Sequence, residues 1–376
     1  MGHILNLTGP VSPDNIEASV NRFESYFAEH QVTTAIFSSS DNKVKQYFDE
    51  GNMDCLFLGD DLLRSQRRLA VHLLTHRKRY DIIHVYGSPQ VFAVVGSIFS
   101  LVSNIPIIVR FNGYKTPDSF IKQVLVRALE IGLVSTCDKS VFISRNQRKD
   151  IFEDLPIDEP DTCQTIPPGI DERYFEPISD DEVRDCRRQL DVSMDAALIG
   201  TVVNPRRVKR LDRAVDIVSK LSELIDKKVY FAVVGEGPLL DDIESYAEEQ
   251  GIGDEFIRIG RVNNKNLKFW YTSFDVTILT SEVESFGMSI TESYLCETPC
   301  VVYDTGGMAD QVLSGQTGYC VPPYEVDTFA ERIASLVTNE SRSLEFGRKG
   351  RKYVQDHFTL QRASEAYLQM VASLSD

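Results

Sequence analysis

Two carboxylates with seven residues between them, Glu284 and Glu292, bracket the segment Ser285-Phe286-Gly287-Met288-Ser289. Residues 274–279 form a mostly apolar, β-branched run that reads as a strand, and 285–287 is turn-like. Residues 288–297 have helical spacing that Pro299 stops, and 300–303 reads as a buried strand. A loop that leaves a parallel strand and opens a helix presents backbone N–H groups without intrahelical partners at the positive end of the helix dipole, which suits an anion. Glu292 lies about 6 Å further along, at ~1.5 Å rise per residue. A nucleotide diphosphate-sugar carries its groups in the matching order. Glu284 would accept from the sugar, the amides of 285–289 would hold phosphate, and Glu292 would accept from the ribose hydroxyls. Spacing by itself leaves a plainer arrangement ahead, in which Glu284 caps the helix and Glu292 is a solvated surface carboxylate.

A second charged group is the loop N-P-R-R-V-K-R at 204–210, which follows the apolar run 197–203 and leads into a helix at 211–221. Its cations, among them Arg206, Arg207 and Lys209, can neutralise a diphosphate whose other oxygens sit on the 285–289 amides. The alternative is a solvated basic turn. Gly235-x-Gly237-Pro238 ends the strand run 229–234 but fails as a dinucleotide fingerprint, because Leu240 stands where the third glycine belongs. It reads as a tight turn or a close backbone approach to a ligand. Arg261 and Val262 end a further strand, 257–262, near the same edge.

These groups sit in a chain of 376 residues, long enough for two domains, with 42% hydrophobic and 26% charged residues. A net charge of −16 disfavours nucleic acid, whose binding rests on neutralising phosphates with Lys and Arg. Seven cysteines without a C-x-x-C pair read as reduced, mostly buried thiols, not a disulfide frame or zinc site. The first residues run directly into a strand, so secretion is not expected. Residues 91–109 are uncharged, but Gly96, Asn104 and Pro106 split them into a buried helix and a strand, short of a membrane span.

The order of elements predicts parallel sheets with their ligand edges at the strand C-termini. Strand runs at 3–8, 32–37 and 163–166 and the segments 81–89, 105–115 and 139–146, each a strand running into a polar loop, set this order, with a helix at 16–30 after the first. The turn-rich segment 167–177 reads as a domain boundary, because Ser179 to Glu182 restarts the chain with a helix cap. Helices at 326–338, 341–357 and 360–374 close the sequence.

On these residues the chain resembles the glycosyltransferases of family 4, the retaining class with the GT-B fold. Glu284 and Glu292 around S-F-G-M-S match that family's paired glutamates, and Lys209 is similar to its diphosphate-binding lysine. Gly235 to Pro238 resembles its G-x-G-P turn, Gly306-Gly307 its G-G turn, and Pro167 to Asp171 its P-N-G-[VI]-D junction. The resemblance implies an α/β chain of two facing Rossmann-like domains with parallel sheets and an interdomain cleft. An acceptor-binding domain at 1–172 and a donor-binding domain at 173–357 would be followed by a helix, 358–376, packing back on the first.

It implies transfer of a sugar, with retention, from a UDP- or GDP-sugar to a glycan or lipid-linked acceptor, with no cofactor and no metal. Glu284, Lys209, Arg206 and Asn112 would serve the chemistry. Gly9, Arg207, Gly235, Arg261, Val262, Ser285, Phe286, Gly287, Met288, Ser289 and Glu292 would bind substrate, Arg261 and Val262 contacting the base. Three departures stand out. Gly9 is followed by Pro10 where relatives carry two glycines. Asn204 or Thr201 stands where an arginine is frequent, so Arg206 or Arg207 would substitute. Asn112-Gly113 replaces a strand-end histidine, and asparagine cannot shuttle a proton. A same-face reaction in which the leaving phosphate takes the acceptor's proton would accommodate that loss.

A sugar-nucleotide epimerase of the same fold and a non-catalytic nucleotide-binding scaffold are the rival readings. The expected location is cytoplasmic. The basic helix at 64–79, and a second at 120–131 with Lys122 and Arg127, leave open a peripheral contact with anionic membrane beside the alternative of ordinary solvated helices.

Overall fold

The computed structural model describes residues 2–8, 22, 24–28, 30–36, 54–58, 62–86, 90–113, 120–154 and 157–374. Gly9 and most of the helix expected at 16–30 lie outside them, as do the side chains of Lys122 and Arg127. The chain divides into two compact units, Met1–Gly169 with Leu360–Asp376, and Ile170–Thr359.

The first unit is built on seven parallel strands, β1 (His3–Thr8), β2 (Gln31–Ile36), β3 (Asp54–Phe57), β4 (Ile82–Tyr86), β5 (Ile107–Phe111), β6 (Lys139–Phe142) and β7 (Cys163–Thr165). Their order is β3-β2-β1-β4-β5-β6-β7. Such strands are buried on both faces, and their side chains alternate between two cores. Leu5, Leu7, Ile83, Val85 and Val109 share one core with Leu69, Leu73, Phe99 and Leu133. Those four come from the helices Leu62–His76, Gln90–Ser103 and Phe120–Thr136. Ile4, Ile82, Ile108 and Val141 face the other core with Tyr26, Phe27, Tyr367 and Met370, the last two from the helix Leu360–Ala372. The uncharged run 91–109 resolves into a helix and β5, and among the described residues no helix is long and apolar enough to cross a membrane.

The second unit has six parallel strands, β8 (Ala197–Val202), β9 (Val229–Val234), β10 (Phe256–Gly260), β11 (Val276–Leu279), β12 (Cys300–Tyr303) and β13 (Gly318–Val321). Their order is β10-β9-β8-β11-β12-β13. The chain walks outward from β8 in one direction and resumes at β11 in the other, so the loops after β8 and β11 open a crevice at a topological switch point. Both sheets flanked by helices make two Rossmann-like units, the components of a GT-B fold. The helix Asp180–Gln189 starts with the expected cap, Ser179 and Glu182 forming a reciprocal capping box.

Several boundaries differ from the reading of the sequence: β10 stops at Gly260, so Arg261 and Val262 follow the strand instead of ending it, and the helix expected at 211–221 runs to Leu224. The helix expected over 288–297 is Met288–Leu295. It ends in a Schellman turn, with Thr298 N donating to Ser293 O at 3.1 Å and Glu297 N to Tyr294 O at 2.9 Å. Glu297 takes the left-handed position that glycine usually fills, at φ 59°. Local hydrogen bonding ends the helix before Pro299 is reached.

Candidate functional site

The switch-point crevice brings together two of the charged groups singled out from sequence. Lys209 lies in the short 3-10 turn Arg207–Lys209 after β8, and its Nζ donates to Glu284 Oε2 from the loop after β11. Both side chains are about four-fifths buried, at 21% and 18% exposure. Backbone holds the loops in place. Glu282 N donates to Val208 O at 2.9 Å, and the Thr280 hydroxyl donates to Arg210 O at 2.9 Å. Arg210, at φ 47°, turns the chain into the helix Leu211–Leu224. Its guanidinium is consumed structurally, donating to Asp212 and Glu282, so of the four loop cations it does not face the crevice as a free charge. Tyr324 also donates to Glu282, and with Arg210 it holds that carboxyl below its usual range. Arg206 and Arg207 are exposed on the turn.

Glu284 does not cap the following helix. The N-cap is Gly287, in left-handed conformation at φ 93°, with no side-chain cap bond. Phe286 and Gly287 are buried while Ser285, Met288 and Ser289 are partly exposed. Ser289 Oγ is occupied, donating to Val202 O at 2.7 Å and tying the helix start to β8. From this segment it is therefore the backbone amides, not that hydroxyl, that suit an anion. The G-G turn supports the loop from beneath. Gly307 N donates to Glu284 O at 2.8 Å, and a Cβ at Gly307 would lie 2.2 Å from Ser285 O. Buried Gln311 donates to the carbonyls of Phe286, Gly287 and Gly307, joining the two loops.

Glu292 is not merely a solvated carboxylate either. The buried Tyr271 hydroxyl donates to its Oε2 at 2.6 Å. Burial, and then the Glu292 charge, push the Tyr271 hydroxyl well above its ordinary pKa, which keeps it a donor. Tyr271 belongs to the helix Leu267–Ser273, whose Trp270 lines a hollow of about 520 Å³ with Arg261, Val262, Asn263 and Asn266. Gly235 is committed to the scaffold. Its N–H donates to Gly260 O at 2.8 Å, and a Cβ there would meet Val203 O at 1.9 Å.

Asn112 belongs to the first unit, at the end of β5, and its Oδ1 accepts from Arg110 Nε at 2.7 Å. Arg110 is fully buried among the rings of Tyr26, Tyr86 and Tyr367 and donates to Tyr367 Oη at 2.9 Å. The amide oxygen of Asn112 is thus spoken for, and its amide also hydrogen-bonds the Tyr86 side chain. No group of three metal-ligating side chains occurs among the described residues. Tyr271, Gln311 and Arg110 were not signalled by any motif, and each has a partner distant in sequence: Glu292, Phe286 and Tyr367.

Residues 183–353 match the family model of glycosyl transferases group 1. The chain is also 26% identical over 205 residues to the N-acetyl-alpha-D-glucosaminyl L-malate synthase of Bacillus anthracis, covering 54% of this chain and 52% of that protein. Against the D-inositol 3-phosphate glycosyltransferase of Corynebacterium jeikeium it is 27% identical over 254 residues, 64% of this chain and 58% of the relative. The chain thus aligns with little more than half the length of these curated relatives. Its fold is similar to that of Anabaena Alr3699/HepE, solved in complex with UDP, with a TM-score of 0.83 at 17% identity, covering 99% of this chain and 100% of that one. The chain is related in sequence to glycosyltransferases, and it shares its fold with a UDP-bound protein.

Proposed function

We propose that this chain is a retaining glycosyltransferase of family 4 that moves a sugar from a nucleotide diphosphate-sugar to a glycan or lipid-linked acceptor. The observation that carries the reading is the Lys209–Glu284 pair at the switch point, flanked by the amides at 285–289 and by Glu292. Glu284 accepts from the donor sugar's hydroxyls. Lys209, whose ammonium has three donors and spends one on Glu284, keeps two for the diphosphate. Arg206 and Arg207 add charge from the turn, and Glu292, oriented by Tyr271, accepts from the ribose. Arg261 and Val262 receive the base. UDP is the first donor nucleotide to test, because the similar Anabaena structure is a UDP complex; a GDP-sugar is the second.

In the reaction the bond between the anomeric carbon and the β-phosphate oxygen breaks, and a bond to the acceptor oxygen forms on the same face. The acceptor's proton passes to the departing phosphate, so no protein base is required of Asn112. The protein's part is to hold both reactants and to stabilise the diphosphate as its charge develops. The cations must carry most of this, since a helix dipole contributes only about 0.3–1 kcal/mol near a surface. Neither a metal nor a cofactor enters the scheme.

Incubating the protein with a panel of UDP- and GDP-sugars and following released nucleotide tests the reading. Release from at least one donor, with acceptor-dependent stimulation and an unchanged anomeric configuration in the product, is expected. An epimerised nucleotide-sugar with no transfer would point to the rival epimerase, and binding without turnover to a scaffold.

A further inference from the structure

In the first unit, two adjacent helices carry an exposed surface of unusual composition. The helix Leu62–His76 packs against the helix Gln90–Ser103, and both lie over the same core through Leu69, Leu73 and Phe99. Both carry exposed aliphatic side chains. Val71 and Leu74 are exposed on the first, the latter at 64%, and Ile98, Leu101 and Val102 on the second, the last two at 69% and 77%. Ile98, Leu101 and Val102 fall at i, i+3 and i+4, one face of a helix that has no charged residue along its length. Isolated exposed aliphatics need no explanation, but five on neighbouring helices form a patch of the kind that marks an interaction site.

Along the first helix and the turn after it the charge has one sign, bounded by Asp60-Asp61 and Asp81 at its two ends. From Leu62 to Tyr80 the chain carries Arg64, Arg67, Arg68, Arg77, Lys78 and Arg79 and no acidic residue, within a protein of net charge −16. Arg64, Arg67, Val71 and Leu74 follow one another at helical spacing, so the cations continue the apolar stripe, and the turn after His76 closes it with Arg77 and Lys78. Among the described residues no carboxylate pairs with Arg67, Arg77 or Lys78. Apolar side chains rimmed by Arg and Lys are what a helix lying in a membrane interface presents: the aliphatics enter the acyl boundary, and the cations meet anionic headgroups. A protein partner would need a complementary acidic surface of its own, and nucleic acid is disfavoured by the overall charge and leaves the aliphatics unused.

We propose that the face formed by Leu62–Arg79 and Gln90–Ser103 docks on an anionic lipid bilayer. The proposal is independent of the glycosyltransferase reading, since a chain that bound vesicles and transferred nothing would still satisfy it. Co-sedimentation of the full chain with vesicles of phosphatidylcholine, with and without phosphatidylserine, tests it. Binding is expected only with phosphatidylserine and is expected to weaken as salt rises, each basic residue contributing a factor of roughly five. The variants L101S/V102S and R67Q/K78Q, all at exposed positions, should each lower vesicle affinity by about tenfold or more while circular dichroism and melting stay as in the wild type. Absence of binding at low salt overturns the proposal. So does binding that both variants retain, or self-association abolished by the same substitutions in the absence of lipid.

Discussion

Lys209 and Glu284, 75 positions apart in sequence, form an ion pair across two loops that leave neighbouring strands of one sheet. The pair exists because β8 and β11 lie side by side although β9 and β10 come between them in the chain. In the proposed function the pair stands where a sugar hydroxyl and a diphosphate would meet. Exposed pairs contribute little to stability, and this one, about one-fifth exposed, contributes on the order of 1 kcal/mol. Its importance is therefore expected in turnover much more than in folding.

Tyr271→Phe removes the donor to Glu292 and keeps the ring, which packs edge-on against Phe175 and Phe274. A hydrogen bond to a charged group contributes about 1.5–3 kcal/mol, so affinity for the donor nucleotide should fall roughly tenfold or more with the fold intact. Calorimetric titration with UDP or GDP measures this directly. An unchanged affinity would remove Glu292 from the ribose.

Gln311 is a buried amide donating to three carbonyls of the two loops beneath Glu284. Gln311→Glu places a carboxylate against those acceptors and should destabilise the second unit by about 1–3 kcal/mol, with the KM for donor rising too. Gln311→Leu should do the same in milder form. Urea unfolding and donor titration read both effects, and a Glu variant as stable as the wild type would contradict the clamp.

His84 is fully buried beside Asn6, and burial, then the Arg110 charge, push its pKa down to about 3. An unfolded histidine titrates near 6.5, so between roughly pH 6.5 and 3 the unfolded chain binds a proton that the folded chain refuses. Stability from this group is complete above that window and falls as pH drops through it, by up to about 1.4 kcal/mol per pH unit. His84→Gln should flatten this part of the acid limb in denaturant unfolding followed from pH 7 to 4. A slope identical to that of the wild type would contradict the buried neutral imidazole.

Much of the fold was legible because it rests on periodicity. The strand runs β9 and β12 are apolar throughout and β4 and β5 nearly so, broken only by His84 and Arg110, and the Ser179 box and the split of 91–109 are local signals. What was hidden depends on strand order and packing. Nothing local tells that the Glu284 carboxylate goes to Lys209 instead of to a helix cap, that Tyr271 reaches Glu292, or that Glu297 replaces glycine in a Schellman turn. The run I-I-V-R-F reads correctly as a buried strand, yet two of the three tyrosine rings that surround Arg110, Tyr26 and Tyr367, come from 84 positions before it and 257 after it. The basic loop was read as one electrostatic unit, whereas Arg210 within it is a structural residue held by Asp212 and Glu282.

The most direct test compares nucleotide release by the wild type, Lys209→Ala and Glu284→Ala on the donor that the panel selects. Removing one preorganised stabilising group from a developing charge typically slows turnover by about 10²–10³. Both variants should therefore lose at least about a hundredfold in kcat/KM while unfolding at nearly the same denaturant concentration as the wild type. Full turnover in both variants would contradict the assignment of this crevice as the donor site.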